Sequence, residues 1–217
     1  MSAFQSTLWT VIRGAREGDD SHFSTFVDRY RPPVVRFITR KGLRSVAEDL
    51  AQEVFVRIFT QEVLAKADPS RGRFRSLVLA VTRHVIGHHL EREGAQKRGG
   101  GKVGSLGEID VAAPPQEEDE FDREWVSHLL QVALARLARE HSHYHEALGG
   151  VLFEGRSYAE MATELERTEN QIRNHVHRGR TKLVQYLRDE IREYAASEED
   201  YQEELQSLAR HFPSRSE

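Results

Sequence analysis

The chain has no cysteine among its 217 residues. Without a thiol there is no disulfide framework, no thiolate zinc ribbon, no iron–sulfur cluster and no cysteine nucleophile. No stretch approaches the roughly 18 consecutive apolar residues of a membrane span. The opening, MSAFQSTLWTVIRGAREGDD, lacks the basic-then-apolar order of a secretory signal. No region sustains the period-two alternation of strands, and neither a hydrolase elbow nor a dinucleotide fingerprint is present. These absences leave an all-α, soluble, cytoplasmic protein with no direct membrane insertion, no cofactor and no catalytic constellation, so an enzyme is not expected. The length fits two small domains, since single cores typically gather roughly 100 to 150 residues.

Charge is unevenly spread. The whole chain carries −4, but His22 to Lys102 sums to +8, Val103 to His128 to −7 and Glu193 to Glu217 to −5. A basic first half followed by an acidic spacer fits a polyanion-binding module with a solvated linker, although solubility alone accounts for any single charge run.

Apolar residues recur at helical spacing. Phe23, Phe26, Val27, Tyr30, Val34, Phe37 and Ile38 form one stripe, which Pro32 and Pro33 are expected to kink or split because proline lacks the N–H. Ser45-Val-Ala-Glu48 reads as a capping box opening a second helix, with Leu50, Val54, Phe55, Ile58 and Phe59 inward. A third helix is predicted from about Arg73 to Arg92, burying Phe74, Leu77, Val78, Val81 and Val85. Residues 95–124, rich in Gly, Pro and acids, read as a flexible linker between a first domain over 1–94 and a second over 125–192. The second restarts the stripe with Val126, Leu129, Leu130, Ala133, Leu134 and Leu137.

Two further capping boxes, Ser157-Tyr-Ala-Glu160 and Thr168-Glu-Asn-Gln171, bracket a short helix, a tight turn and a longer helix. Tyr158, Met161, Ala162, Leu165, Ile172, Val176, Leu183 and Leu187 fall inward. Gln171, Arg173, Asn174, His175, Arg178, Arg180 and Lys182 fall outward. Arg can bond guanine O6 and N7, and Asn can pair with adenine. In a helix-turn-helix the N-terminal residues of the second helix enter the major groove, which makes Gln171 to His175 candidate base readers and Arg178, Arg180 and Lys182 candidate phosphate contacts. An ordinary helical hairpin with a solvated basic face is the alternative.

SYAEMATELERTENQIRNHVHRGRTKLVQYL, with its His177-Arg178-Gly179-Arg180 run, resembles the C-terminal DNA-binding domain of bacterial RNA polymerase sigma factors. SVAEDLAQEVFVRIF, Ser45 to Phe59, is similar to the sigma helix that docks on the polymerase clamp. GRFRSLVLAVTRHVIGHHLER, Gly72 to Arg92, is similar to the promoter-melting segment. Three matches in family order are more specific than any one. The chain from Leu8 to Ile191 therefore resembles the compact extracytoplasmic-function (ECF) class of the sigma-70 family. Departures are Leu77 where many members have Trp, His84 where Asn is usual, and Glu166 and Asn170 in place of glycines around the turn.

The resemblance implies an alternative sigma factor that binds core RNA polymerase and directs promoter recognition, melting and initiation. Residues 1–94 would be a region 2-like domain for the β′ clamp and the −10 element. Asp49, Gln52, Glu53 and Arg57 would face the clamp, unless Glu53 and Arg57 only support their own helix. Arg71, Arg73, Arg75 and Arg83 would hold the −10 strand backbone, with Ser76 and His84 beside a flipped base. Residues 125–192 would be a region 4-like domain at the β flap, reading the −35 element with Thr168, Gln171, Arg173, Asn174, His175, Arg178, Arg180 and Lys182. The acidic linker, EEDEFD at Glu117 to Asp122, would thread toward the RNA exit path. An anti-sigma protein is a further partner of many relatives. A stand-alone helix-turn-helix regulator with an N-terminal sensing domain is the other reading.

Two signals are set aside. His141 with His145, or His84 with His88, have chelate spacing, but no acidic or cysteine partner completes a metal site. Gly99-Gly-Gly-Lys102 lacks the first glycine, the Ser or Thr and the preceding strand of a phosphate loop. Residues 193–217 form an acidic amphipathic extension with Tyr201, Leu205, Leu208 and Phe212 as its stripe. It is expected either to pack on the second domain or to cover the DNA-reading face.

Overall fold

The computed structural model describes residues 21–59, 74–97, 114–195 and 197–211. Among them are eight α-helices and one 3-10 turn: α1 Ser21–Arg40, the turn Arg44–Val46, α2 Ala47–Phe59, α3 Phe74–Lys97, α4 Pro115–Glu140, α5 Ser142–Leu152, α6 Tyr158–Glu164, α7 Glu169–Tyr194 and α8 Glu198–Ala209. The all-α expectation holds, with no strand among the described residues. Two compact units divide the chain. The first comprises Met1–Val126 with Glu193–Glu217, and the second Ser127–Arg192.

The first unit is built on α1, α2 and α3. Tyr30, Val34, Phe37 and Ile38 of α1, Leu50, Val54, Phe55 and Ile58 of α2, and Phe74, Val78, Val81 and Val85 of α3 are all at most 5% exposed, as their spacing predicts. Leu77 is only half-buried. The helix α1 is one element through Pro32 and Pro33 rather than two. The capping box expected at Ser45–Glu48 is not made. The chain enters α2 through the 3-10 turn, with no side-chain cap, and the Glu48 carboxylate instead pairs with Arg31.

An aromatic cluster completes this unit with residues outside the predicted domain. Trp125 is fully buried, stacked on Tyr30 at 5.4 Å and edge-on to Tyr194 at 5.7 Å. Phe121, also fully buried, meets Phe37 edge-on at 5.3 Å. Such pairs add about 0.5–1.5 kcal/mol each beyond the area they bury. Residues 115–124 are therefore helix and partly core, where a flexible linker was expected. Phe121 and Trp125 supply an apolar face on which that acidic stretch can order.

The second unit holds the C-terminal part of α4 with α5, α6 and α7. Leu129, Ala133, Leu137, Ala147, Leu148, Met161, Ala162, Ile172, Val176, Tyr186, Leu187 and Ile191 are buried. Tyr186 donates to Glu140 Oε2 at 2.7 Å and lies under the Arg136 guanidinium at 4.1 Å, tying α4 to α7. A side chain at position 150 would meet the end of the Met161 side chain, which would have to move aside.

Candidate nucleic-acid interface

Both capping boxes of the second unit form. Ser157 Oγ accepts from the Glu160 N–H at 3.2 Å while the Glu160 carboxylate accepts from the Ser157 N–H at 2.7 Å. At the start of α7, Thr168 Oγ1 accepts from the Gln171 N–H at 3.2 Å and Gln171 Oε1 accepts from the Thr168 N–H at 2.8 Å. The connection between α6 and α7 is equally defined. Arg167 N–H donates to the Ala162 carbonyl at 2.9 Å and Glu166 N–H to Thr163 at 3.4 Å, the paired bonds of a Schellman ending. That ending needs a left-handed residue, and Glu166 supplies it at φ 51°. The position is one of the two at which the family resemblance implies glycine. The other, Asn170, lies within α7 and needs no such freedom.

This frame presents one face of α7. Ile172 and Val176 point inward, while Gln171, Arg173, Asn174, Arg178 and Arg180 are exposed, Thr168 is exposed at the cap, and His175 and Lys182 are half-buried. Arg173 lies 4.4 Å over the Tyr158 ring and 3.4 Å from Glu169, which fixes its guanidinium. Arg178 donates to Tyr144 Oη at 3.4 Å. His175 sits against the His143 and Tyr144 rings at 4.9 and 5.5 Å. Burial first, then His143, Arg167 and Arg178, push its pKa below the ordinary value, so at neutral pH it is an imidazole with one donor and one acceptor. Tyr144 went unmarked by sequence reasoning, because an aromatic on α5 reads as core. Gly179, in the basic run, is buried, with the Tyr144 carbonyl 3.2 Å from where a Cβ would sit.

In the first unit the predicted residues divide. On α2, Asp49 and Gln52 are exposed, and Glu53 pairs with Arg57, as helix support requires. Val56, 54% exposed beside them, is an apolar residue off the buried stripe. On α3, Ser76, Arg83 and His84 are half-buried. Burial first, then the charges of Arg57 and His88, lower the His84 pKa, so His84 adjoins the Glu53–Arg57 pair. Arg71 and Arg73 lie outside the described residues, as do the Gly99–Lys102 loop and Phe212.

Arg75 is the main correction. Expected on a basic rim, it is 1% exposed, with Nε donating to Glu204 Oε1 at 2.8 Å, Nη2 to Glu204 Oε2 at 3.2 Å and Nη2 to Ser207 Oγ at 3.2 Å. Asp122 pairs with it as well. A buried guanidinium requires such partners, because isolated charge is costly out of water. The extension therefore groups with the first unit rather than the second. The buried face of α8 is Tyr201, Glu204 and Leu208, with Leu205 half-buried.

Among the described residues no group of three or more histidines and acids could hold a metal ion, and no helix is long and apolar enough to cross a membrane.

A capped helix-turn-helix in a chain with no strand among its described residues, with arginines and asparagine exposed on the second helix, defines a helix-turn-helix protein of the nucleic-acid-binding kind. The family profile described as "ECF sigma factor" matches residues 2–189, and the chain belongs to that family. It is thus a sigma factor of transcription initiation, from a family that is not catalytic and whose partners are RNA polymerase and promoter DNA. No curated protein matches the chain.

Proposed function

We propose that this sigma factor binds core RNA polymerase and directs it as an alternative specificity subunit, reading a −35 element with α7 and engaging a −10 element with the first unit. The observation that carries the reading is the exposed face of α7. Gln171, Arg173 and Asn174 stand in solvent on a helix start held by the Thr168–Gln171 box, where a recognition helix meets base edges. Arg178, Arg180 and Lys182 add charge for the phosphates, which supplies affinity without sequence information. His175, neutral and wedged against His143 and Tyr144, positions the helix start.

For the first unit, Asp49, Gln52, Glu53 and Arg57 on α2 are the proposed clamp-docking face, with Val56 as its apolar centre. Ser76, Arg83 and His84 on α3, with Arg71 and Arg73, are the proposed −10 contacts. Capture of a base from the melted strand needs positive charge along the backbone and a pocket that offsets a few kcal/mol of unstacking. The match over 2–189, which takes in both units, favours this account over a stand-alone regulator, for which only the helix-turn-helix would be shared. The α4 start and α8 belong to the first unit as proposed domain boundaries.

Run-off transcription tests the proposal, with purified core polymerase, genomic promoter fragments and this chain. Specific transcripts that depend on the chain, and that are lost with Asn174→Ala and Arg178→Ala together, are the expected result. Absence of both transcripts and core binding would refute it, and sequence-specific DNA binding without polymerase would point to the regulator instead.

A further inference from the structure

Several basic residues of the first unit are paired with the chain's own carboxylates. Glu117, Glu120 and Glu124 lie at i, i+3 and i+7 on α4, a row of anions about one turn, 5.4 Å, apart on a stiff rod. Lys41 Nζ lies 2.9 Å from Glu120 and 3.3 Å from Glu117, and Arg83 Nε lies 2.9 Å from Glu117. Arg36 and Arg40 reach Glu124 at 3.1 and 2.5 Å. One turn further inside, Asp122 and Glu204 hold Arg75 from two different segments, and Arg210 bonds Asp122 at 3.2 Å. Tyr194 donates to Glu204 Oε1 at 3.0 Å and accepts from Trp125 Nε1 at 3.2 Å, so α8 is latched to the same place by ion pairs and by a hydrogen bond from the aromatic cluster. Basic groups from α1, the turn after it and α3 are thus matched to acids from α4 and α8.

Isolated surface ion pairs contribute little, with a median near 0–1 kcal/mol. A row of them on one helix does something else: it neutralises a face whose use, for a polyanion, requires the same cations. We propose that the acidic start of α4 and helix α8 form an intramolecular DNA mimic that covers the −10-binding face of the first unit at Arg83, and that is displaced when polymerase and promoter strand engage. This rests on the proposed −10 role of α3. It makes the 115–124 segment and the extension a regulated cover, and it adds Arg36 and Lys41 to the surface that becomes available once the cover lifts.

Two measurements on the full chain test it. The first is fluorescence anisotropy with a labelled single-stranded oligonucleotide of mixed sequence, comparing the natural chain with Glu117→Gln/Glu120→Gln. Those carboxylates are partly exposed, 32% and 43%, so the fold tolerates the change. With its two carboxylate partners neutralised, Lys41 should tighten binding severalfold at low salt and steepen the salt dependence by about 0.7, at ~0.7 per single-strand phosphate. Unchanged affinity with an intact helical circular dichroism spectrum would overturn the proposal. The second is amide hydrogen exchange across Glu198–Ala209, alone and with core polymerase plus the oligonucleotide, which needs no variant. Exchange at least tenfold faster on engagement supports displacement; unchanged or slower exchange while transcription proceeds overturns it. Loss of the sigma reading has a different signature. The natural chain would then give no specific transcript with core polymerase, whatever the anisotropy of the neutralised variant.

Discussion

Glu166 occupies the one described non-glycine position with positive φ, 51°, at the turn that sets the angle between α6 and α7. For an L-residue with a Cβ, the left-handed region costs roughly 1–2 kcal/mol. The local hydrogen bonds of Arg167 to Ala162 and Glu166 to Thr163 hold the residue there. Replacing Glu166 with glycine removes that strain. It also gives the unfolded chain more freedom, which takes back about 0.4–1 kcal/mol. The net expectation for Glu166→Gly is a gain of about 0.5–1 kcal/mol. For a unit of this size, 1 kcal/mol moves Tm by roughly 4–8 °C, so the second unit should melt roughly 2–8 °C higher by scanning calorimetry. Asn170→Gly is the control. Asn170 lies in helical backbone, where glycine is a few tenths of a kcal/mol worse than asparagine, and Tm should fall slightly. A Glu166→Gly chain that melts at or below the natural temperature would refute the reasoning, because strain at φ 51° would then not be what the turn stores. Equal gains at both positions would refute it too, since they would trace to something other than backbone conformation.

Other expectations follow from the same unit. Thr168→Ala removes the side-chain acceptor at the start of α7 and should cost ~1 kcal/mol in chemical denaturation, whereas Ser45→Ala, at a box that does not form, should cost nothing measurable. The Tyr186 hydroxyl, then Arg136, hold the Glu140 carboxyl down at about 2 from 4.5. A carboxylate depressed on folding stabilises the folded state above its unfolded pKa and loses that contribution as pH falls through the folded one. Glu140→Gln should therefore flatten the loss of stability between pH 4.5 and about 2, and an unaltered acid profile would remove the assignment. In footprinting or competition assays with polymerase, Asn174→Ala should cost ~1–3 kcal/mol and relax preference at one −35 position. Arg180→Ala should weaken all sequences alike and reduce the salt slope by about 1. A sequence-selective effect of Arg180→Ala would reverse the assigned roles.

The helices were legible where a stripe of one residue type lay on one face. Tyr30 to Ile38, Leu50 to Ile58 and Ile172 to Val176 are buried as their spacing dictates, and the boxes at Ser157 and Thr168 form. What escaped were residues whose partners are distant in sequence. Arg75 looks like a surface cation until Glu204, 129 positions on, and Asp122 surround it. The 115–124 segment reads as solvated because six acids outnumber Phe121 and Trp125 nearby, yet those two rings order it. Glu204 carried a usable signal: it stands three residues after Tyr201 and four before Leu208, on the face those two bury. An acid on an apolar stripe implies a cation waiting for it. Ser45 and Glu48 had the right spacing for a cap, but a 3-10 entry and Arg31 took the chain and the carboxylate elsewhere.

Gly179 gives the second helix of the motif a fixed keel. A Cβ at this position would stand 3.2 Å from the Tyr144 carbonyl, so the missing side chain lets α7 sit close against α5 along this line. Successive residues on a helix turn by roughly 100°, so Arg178 and Arg180 leave the keel on opposite sides, one to port and one to starboard, both in solvent. A helix lying in a groove has a phosphate wall on each side. A hull with one cationic outrigger toward each wall is held level, and its leading residues, Gln171 and Asn174, are then aimed by the keel rather than by the contacts they make.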